Sequence, residues 1–175
     1  MRNIILQVAV SLDGYIEGPN GEFDWCFTDQ DYGMAAFFKQ IDSMFLGRKS
    51  YELLKKMGDA AMPGFPKLTE YVFSNTLTEV QPGATLINGD LKQKVEQIRN
   101  KPGKDIWLFG GASLTASLLH LNLIDEVRLA VHPLLLGSGK PLFSNVPNRV
   151  PLVLKDIKTY NTGLVMLTYA FQKQP

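Results

Sequence analysis

Two adjacent glycines, Gly110 and Gly111, lie where an apolar strand pattern gives way to a helix pattern. Glycine leaves no side chain between backbone and ligand, and the N–H groups of a first helical turn carry partial positive charge. The helix would begin at Ala112 and Ser113, whose N–H groups would then face a bound anion. The pattern indicates a phosphate site, although a tight strand-to-helix turn requires glycine for its own reasons.

A second strand-to-helix junction repeats this pattern in the segment FLGRKSYELL. Gly47 ends the strand, and the helix begins with Arg48, Lys49 and Ser50. The helix dipole disfavours cations in a first turn, so these two cations run against the local preference. A bound anion would explain them, and an exposed basic turn without a ligand is the alternative.

Three small hydrogen-bonding residues, Ser74, Asn75 and Thr76, follow the next predicted strand. Ligands of open α/β sheets collect at the carboxyl ends of strands, although an ordinary polar turn has the same composition. A sheet that ends twice in a glycine and a helix N-terminus can hold both ends of an extended dinucleotide. Neither glycine turn is a GxGxxG or Walker motif, which disfavours a Rossmann dehydrogenase and an ATPase.

The elements that would position these residues alternate between strands and helices. Strands are predicted at residues 4–10, 43–46, 70–73, 84–87, 126–131, 152–159 and 164–171, with one more from Asp105. Helices are predicted at residues 31–40, capped by Thr28 or Asp29, at 48–56 and 91–99, and from the paired glycines to His120. Residues 11–25 form a loop long enough to suggest a function. The order predicts an α/β fold with a mostly parallel central sheet and antiparallel additions.

Length and composition restrict the class of protein. The 175 residues predict one domain over residues 1–175, and an apolar fraction of 45% suffices for its core. A formal charge of +1 gives no reason to expect nucleic acid as a partner. Cys26 is the single cysteine, which favours a reducing intracellular compartment. The apolar N-terminal run contains Gln7 and is too short for a membrane span, so we interpret it as a buried strand.

Three motifs, GRKSYE, FSNT and FGG, resemble in this order the cofactor segments of the dihydrofolate reductase fold. The resemblance implies a dihydrofolate reductase-like, three-layer α/β/α fold that binds NADPH. By position, Arg48, Ser74 and Asn75 would meet the 2′-phosphate, and Gly110 and Gly111 would face the nicotinamide.

Two further segments resemble the reductase domain of the bifunctional riboflavin-pathway deaminase-reductase. They are SLDG at residues 11–14 and LIDEVRLAVHPLLLGSGKPLF at residues 123–143. This resemblance implies a cytoplasmic, homodimeric, NADPH-dependent oxidoreductase. It would transfer a hydride to a C=N or C=O carbon of a pyrimidine-like or pteridine-like heterocycle.

The chain departs from that domain at several positions. Tyr15 stands where a basic residue typically follows SLDG, and Phe109 stands where a glutamate usually precedes the paired glycines. Basic residues that would grip a phosphoribosyl group are not evident between Asp29 and Phe38, and a phosphate needs such charged partners. The zinc signature of the deaminase, HxE with PCxxC, is absent from the sequence.

Asp31 and Asp13 are the candidate proton donors, and Trp25 is the candidate substrate-binding aromatic residue. Counted back from GRKSY without gaps, Asp31 falls on the pterin-binding acid of folate reductases, whereas alignment on the following aromatic pair places Met34 there. Either aspartate also has a structural explanation, at a helix start or in an Asp-Gly turn. Trp25 would stack on a flat heterocycle or fill the core. The two histidines show no metal-site spacing, so no metal is expected.

Three functions remain open: reduction of an aminouracil phosphoribosylamine, reduction of a folate or pterin, and nucleotide binding without catalysis. A basic pocket around Lys49, Lys140 or Arg149 would favour the first function. A buried carboxylate at Asp31 that faces an apolar slot would favour the second. A loop that blocks the nicotinamide face would favour the third.

Overall fold

A central sheet runs through the protein in the computed structural model, which describes residues 1–58, 65–144, 146 and 148–172. Its strands are β1 (Ile4–Ser11), β3 (Ile41–Gly47), β4 (Thr69–Phe73), β5 (Ala84–Ile87), β6 (Asp105–Gly110), β7 (Glu126–His132), β9 (Leu152–Thr159) and β10 (Val165–Phe171). The strand order is β5-β4-β3-β6-β1-β7-β10-β9. Strands from β5 to β7 in this order run parallel, and β10 runs antiparallel to both β7 and β9.

Helices cover both faces of this sheet. They are α1 (Met34–Gln40), α2 (Arg48–Met57), α3 (Leu91–Arg99) and α4 (Ala112–His120). Ile4 packs in one apolar cluster with Val95 of α3 and Leu118 of α4, whereas its neighbour Ile5 packs in another with Phe37 of α1 and Tyr51 of α2. The alternation of strand side chains therefore separates two helical layers, and the predicted α/β/α architecture is confirmed. None of the described helices is long and apolar enough to cross a membrane.

The path of the chain creates a crevice at β6. Strands β3, β4 and β5 extend the sheet to one side of β1, and the chain then returns to insert β6 between β3 and β1. It continues to β7 on the far side of β1. Because parallel strands end at the same edge, β3 and β6 both end in a glycine where the strand order reverses, and Gly110 pairs with Leu46, the residue before Gly47.

Every predicted strand and helix is present, but the predicted start of the first helix is wrong. It begins at Met34 because Gly33, with φ of +90°, breaks the helical path at the N-cap. Asp29 does not cap it, since its Oδ1 accepts a hydrogen bond from the Tyr32 hydroxyl at 2.6 Å. Asp31 lies outside the helix, and its Oδ1 accepts a hydrogen bond from the Ala35 N–H at 3.2 Å.

The predicted loop over residues 11–25 contains a short strand that the sequence pattern did not indicate. This strand, β2 (Tyr15–Glu17), pairs antiparallel with the equally unexpected β8 (Lys140–Pro141). An ion pair at 2.9 Å between Glu17 Oε1 and Lys140 Nζ accompanies the pairing. The two distant loops therefore form one unit beside the sheet.

His132, at the end of β7, holds the following part of that loop against the sheet. Its Nε2 accepts a hydrogen bond from the Phe27 N–H at 3.0 Å, so Nδ1 carries the proton and donates to the Ala130 carbonyl. The rings of Trp25 and Phe27 lie 5.2 and 4.9 Å from the imidazole. Burial lowers the pKa of His132, because a protonated ring is poorly solvated in this position. Protonation of Nε2 would also remove the acceptor of the Phe27 N–H.

This contact predicts a loss of stability in mild acid. The unfolded chain binds a proton at His132 before the folded protein does, so the free energy of unfolding should stay constant above about pH 6.5 and fall as the pH drops below it. Urea denaturation between neutral pH and about pH 5 measures the slope. His132→Gln should flatten it, whereas His120→Gln, at the exposed end of α4, should not. An unchanged slope in His132→Gln would contradict this assignment.

Candidate functional site

A cavity of about 360 Å³, cavity A, lies at the carboxyl ends of β3, β4 and β5. It brings together the predicted cofactor residues from three separate segments, namely Gly47, Arg48, Lys49 and Ser50, then Ser74, Asn75 and Thr76, and finally Gly111, Ala112 and Ser113. Gly110, the remaining predicted residue, lies beside this set in a second cavity. Because these segments all end at one edge of the sheet, motifs that are separate in the sequence lie around one cavity.

Two helix N-termini line cavity A. Neither Gly47 at the start of α2 nor Gly111 at the start of α4 provides a side-chain cap, so the N–H groups of both first turns are left for a ligand. Gly111 has φ of +90°, and a Cβ atom there would lie 3.1 Å from Ser50 Oγ. Glycine is favoured here, because another residue would be strained at this φ and its Cβ would crowd the Ser50 hydroxyl.

Cationic side chains supply the charge of cavity A. Arg48 Nη1 lies 3.0 and 3.2 Å from the two carboxylate oxygens of Glu52, one turn along α2. Both partners are about half exposed, and such pairs are weak, so Arg48 can exchange Glu52 for a phosphate. Lys49 and Lys140 also line the cavity. The electrostatic character of cavity A therefore suits a polyanion.

The turn after β4 is held by its own side chains. Ser74 Oγ accepts hydrogen bonds from the N–H groups of Thr76 and Leu77 at 3.1 and 3.0 Å. Asn75 Oδ1 accepts one from the Gly89 N–H at 3.4 Å, which joins this turn to the end of β5. Asn88 and Gly89 line cavity A without having been predicted. The sequence contains a signal for these two residues, because an Asn-Gly pair typical of turns directly follows the predicted strand 84–87. That strand ends at the same edge of the sheet as β4.

A larger cavity of about 860 Å³, cavity B, lies on the other side of Gly111 and Ser50, which line both cavities. Its wall contains the aromatic residues Phe23, Phe27, Tyr32, Phe38, Phe65, Trp107 and Phe109. Asp31 and His132 are among its polar residues. A molecule that extends from cavity A past Gly111 would meet a flat apolar molecule in cavity B.

Asp13 and Trp25 line neither cavity. Asp13 accepts a hydrogen bond from the Ser11 hydroxyl at 2.6 Å, and the backbone N–H groups of Leu136 and Gly137 donate to its two oxygens. The Ser11 hydrogen bond contributes most to lowering the pKa of Asp13. This arrangement favours a role for Asp13 in joining two loops over proton donation.

Trp25 packs its ring against His132, which itself faces cavity B. Its Nε1 atom is buried and has no hydrogen-bond partner within the described residues. This placement favours the interpretation that Trp25 supports the wall of cavity B from behind rather than stacking on a substrate.

Two ionisable groups of cavity B, the Cys26 thiol and the His132 imidazole, are held neutral. Burial, together with the nearby charge of Asp24, raises the pKa of the Cys26 thiol to about 11, so no thiolate is present at neutral pH. His132 is an engaged neutral imidazole. Within the described part of the chain, no three potential ligands cluster in a way that would hold a metal ion. The carboxylates of this wall are those of Glu17, which forms an ion pair with Lys140, and Asp31, which is exposed.

Comparison with known proteins agrees with this architecture. The RibD C-terminal domain family matches residues 2–166. The uncharacterised protein YyaP of Bacillus subtilis (strain 168) is 44% identical over 96% of this chain and 94% of its own length. A crystal structure from Shewanella sp. PV-4, of a protein provisionally assigned to riboflavin biosynthesis, is 28% identical. It superposes with a TM-score of 0.86 over 98% of this chain and 99% of the other.

A more distant structure extends the likeness of the fold. A deaminase and 5-amino-6-(5-phosphoribosylamino)uracil reductase from Thermotoga maritima is 11% identical, with a TM-score of 0.76 over 98% of this chain and 57% of that one. The match thus covers a part of the bifunctional protein. The resemblance seen in the motifs is confirmed, and so is the dihydrofolate reductase-like fold. The chain belongs to the RibD C-terminal domain family, the family of the reductase domain of the riboflavin-pathway deaminase-reductases.

Proposed function

We propose that this protein is an NADPH-dependent reductase that transfers a hydride to a C=N or C=O carbon of a heterocyclic substrate. The observation that carries the proposal is the shared wall of the two cavities, since Gly111 and Ser50 line both. A dinucleotide in cavity A would present its nicotinamide to cavity B past these residues. NADPH would supply the hydride, and the protein would supply orientation and an apolar enclosure.

The donors of cavity A fit this cofactor. The uncapped first turns of α2 and α4, including the N–H groups of Ala112 and Ser113, suit a pyrophosphate. Arg48 and Lys49, with the polar turn at residues 74–76, suit the additional 2′-phosphate that distinguishes NADPH from NADH. Gly110 and Gly111 leave room for a flat ring to lie against the backbone.

Arg48→Ala is expected to weaken NADPH binding about tenfold and to leave NADH binding unchanged, since only the 2′-phosphate loses a partner. Fluorescence titration with both nucleotides measures this difference. Glu52→Gln is the matched control, because it breaks the same ion pair and keeps the cation. Failure of both nucleotides to bind wild-type protein would refute the cofactor assignment, and equal affinity for the two would refute the preference for NADPH.

Three features distinguish the candidate functions: a basic pocket at the substrate, a buried carboxylate at Asp31, and a loop that blocks the nicotinamide. Lys49 and Lys140 line cavity A and do not form a basic pocket around the substrate in cavity B, and Arg149 lines neither. Asp31 faces the apolar cavity B, as a folate or pterin reductase would require, but it is exposed. Cavity B opens beside Gly110 and Gly111, so the loop does not block the nicotinamide side. Catalysis is therefore favoured over cofactor binding alone.

Reduction of an imine also requires a proton, and Asp31 in the wall of cavity B is the donor we propose, with Asp13 the less favourably placed candidate. Asp31→Asn should lower the rate of substrate-dependent NADPH oxidation by a factor of about 10²–10⁴ and leave NADPH affinity unchanged. Asp24→Asn, in the same loop and outside the cavity lining, is the control. The assay begins with dihydrofolate and the riboflavin-pathway aminouracil intermediate. Full activity of Asp31→Asn would exclude this role.

We further propose that the single domain forms a homodimer in the cytoplasm. All eight residues of the edge strand β9 are exposed. Its residues Leu152, Leu154 and Ile157 are 40%, 48% and 52% exposed, and they pair with Phe171, Tyr169 and Leu167 of β10. Because directly paired residues share a face, these side chains form one apolar surface at the edge of the sheet. A second copy would cover it.

The double substitution Leu154→Lys and Ile157→Lys is expected to give a monomer, because both lysines would have to be buried in the interface. Light scattering coupled to size-exclusion chromatography measures the mass. Thr85→Lys, an exposed position on the opposite edge strand β5, is the control and should remain a dimer. A monomeric wild-type protein at micromolar concentration would overturn the proposal.

A further inference from the structure

The two cavities differ in charge. Arg48, Lys49 and Lys140 line cavity A, whereas the described residues that line cavity B include no lysine or arginine. The carboxylates in the wall of cavity B are Glu17 and Asp31. Cavity B is therefore neutral to acidic.

Two cations near this wall, Lys140 and Arg128, already have partners. Lys140 forms its ion pair with Glu17. Arg128 donates to Glu126 Oε1 at 2.5 Å and to Gln40 Oε1 at 2.9 Å, and its guanidinium lies 5.2 Å from the centre of the Phe37 ring. If the side chain of Lys140 or Arg128 turned towards an anion in cavity B, it would lose these contacts. Neither provides a ready binding partner.

The imidazole of His132 does not take the place of a cation. Its Nε2 accepts from the Phe27 N–H, and its Nδ1 donates to the Ala130 carbonyl, so both ring nitrogens are engaged. A second proton would break the hydrogen bond that holds the loop. His132 therefore lines cavity B as an uncharged imidazole.

A phosphate group in such surroundings would lose its water without gaining charged partners, and it would also be repelled by Asp31. Flat uncharged rings, by contrast, would exchange water for contacts with Phe38, Phe65, Trp107 and Phe109. The flexible side chains of Met34 and Met57 complete this wall.

We infer that cavity B selects a flat, uncharged heterocycle that carries no phosphate group. The inference rests on the proposed function, in which cavity B receives the substrate. It separates this protein from an enzyme that reduces a phosphoribosyl compound, such as the activity named for the Thermotoga maritima protein. All phosphate recognition is then confined to cavity A.

A matched pair of fluorescent probes tests this inference. Riboflavin and riboflavin 5′-phosphate share one flat ring system and differ by the phosphate, and both are titrated against protein saturated with NADP⁺, which occupies cavity A and allows no turnover. Binding beside Trp107 quenches flavin emission. Riboflavin should bind at least tenfold more tightly than its phosphate, a difference of about 1.4 kcal/mol.

A charge added to the wall should reduce that preference. Leu53, 37% exposed on α2, lines cavity B, so Leu53→Lys should strengthen binding of the phosphate. Leu135→Lys adds the same charge at an exposed position outside both cavities and should leave the ratio unchanged. Three results would overturn the inference: equal or tighter binding of the phosphate by wild type, no riboflavin binding at millimolar concentration, or the same response from both lysine variants.

A failure of this inference can be distinguished from a failure of the proposed cofactor site. If NADP⁺ does not bind, the proposed function fails, and the titrations repeated without it still compare Leu53→Lys with Leu135→Lys at cavity B. If NADP⁺ binds and the wild-type preference persists in Leu53→Lys, the selection does not arise in cavity B. The inference then fails while the cofactor site stands.

Discussion

The close approach of α4 to α2 at Gly111 and Ser50 is the constraint on which the site depends. With φ of +90° and a Cβ position only 3.1 Å from Ser50 Oγ, Gly111 admits a larger residue only with backbone strain and a shift of the Ser50 hydroxyl. That proximity places two uncapped helix N-termini around one cavity and leaves a thin wall to the next. The inserted strand β6 makes it possible, because it delivers α4 to the point where the strand order reverses.

Residues whose position follows from the sheet could be predicted from the sequence. Gly47, Ser74 and Gly110 each follow an apolar run, and parallel strands end at a common edge, so local patterns sufficed to group them. The alternation of strand and helix patterns predicted the mostly parallel sheet, and the resemblance of the motifs to the dihydrofolate reductase fold implied the three layers. The start of α1 was missed because the Asp29–Tyr32 hydrogen bond and the turn at Gly33 compete with a pattern that is helical from residue 31.

Residues of the long loop were harder to interpret because their partners are distant in the chain. The Asp13 carboxylate accepts from Leu136 and Gly137, and Trp25 packs against His132, more than a hundred residues away in both cases. A short-range pattern contains no trace of these contacts. The same long separation explains why cavity B, whose wall combines Phe27, Phe65 and Met166, could not be outlined from motifs.

Cavity A is built at the edge of the sheet, and much of cavity B is built by loops. This difference offers a reason why one fold can serve different substrates. The uncapped N-terminal ends of α2 and α4 are part of the scaffold, so the phosphate site proposed for cavity A depends on the sheet and on the glycines. The wall of cavity B comes largely from loops and helix faces, which change without disturbing the sheet. In this chain those segments supply aromatic rings and carboxylates instead of cations. The scaffold therefore accounts for cavity A, while in the function proposed for this protein the residues of cavity B select the substrate.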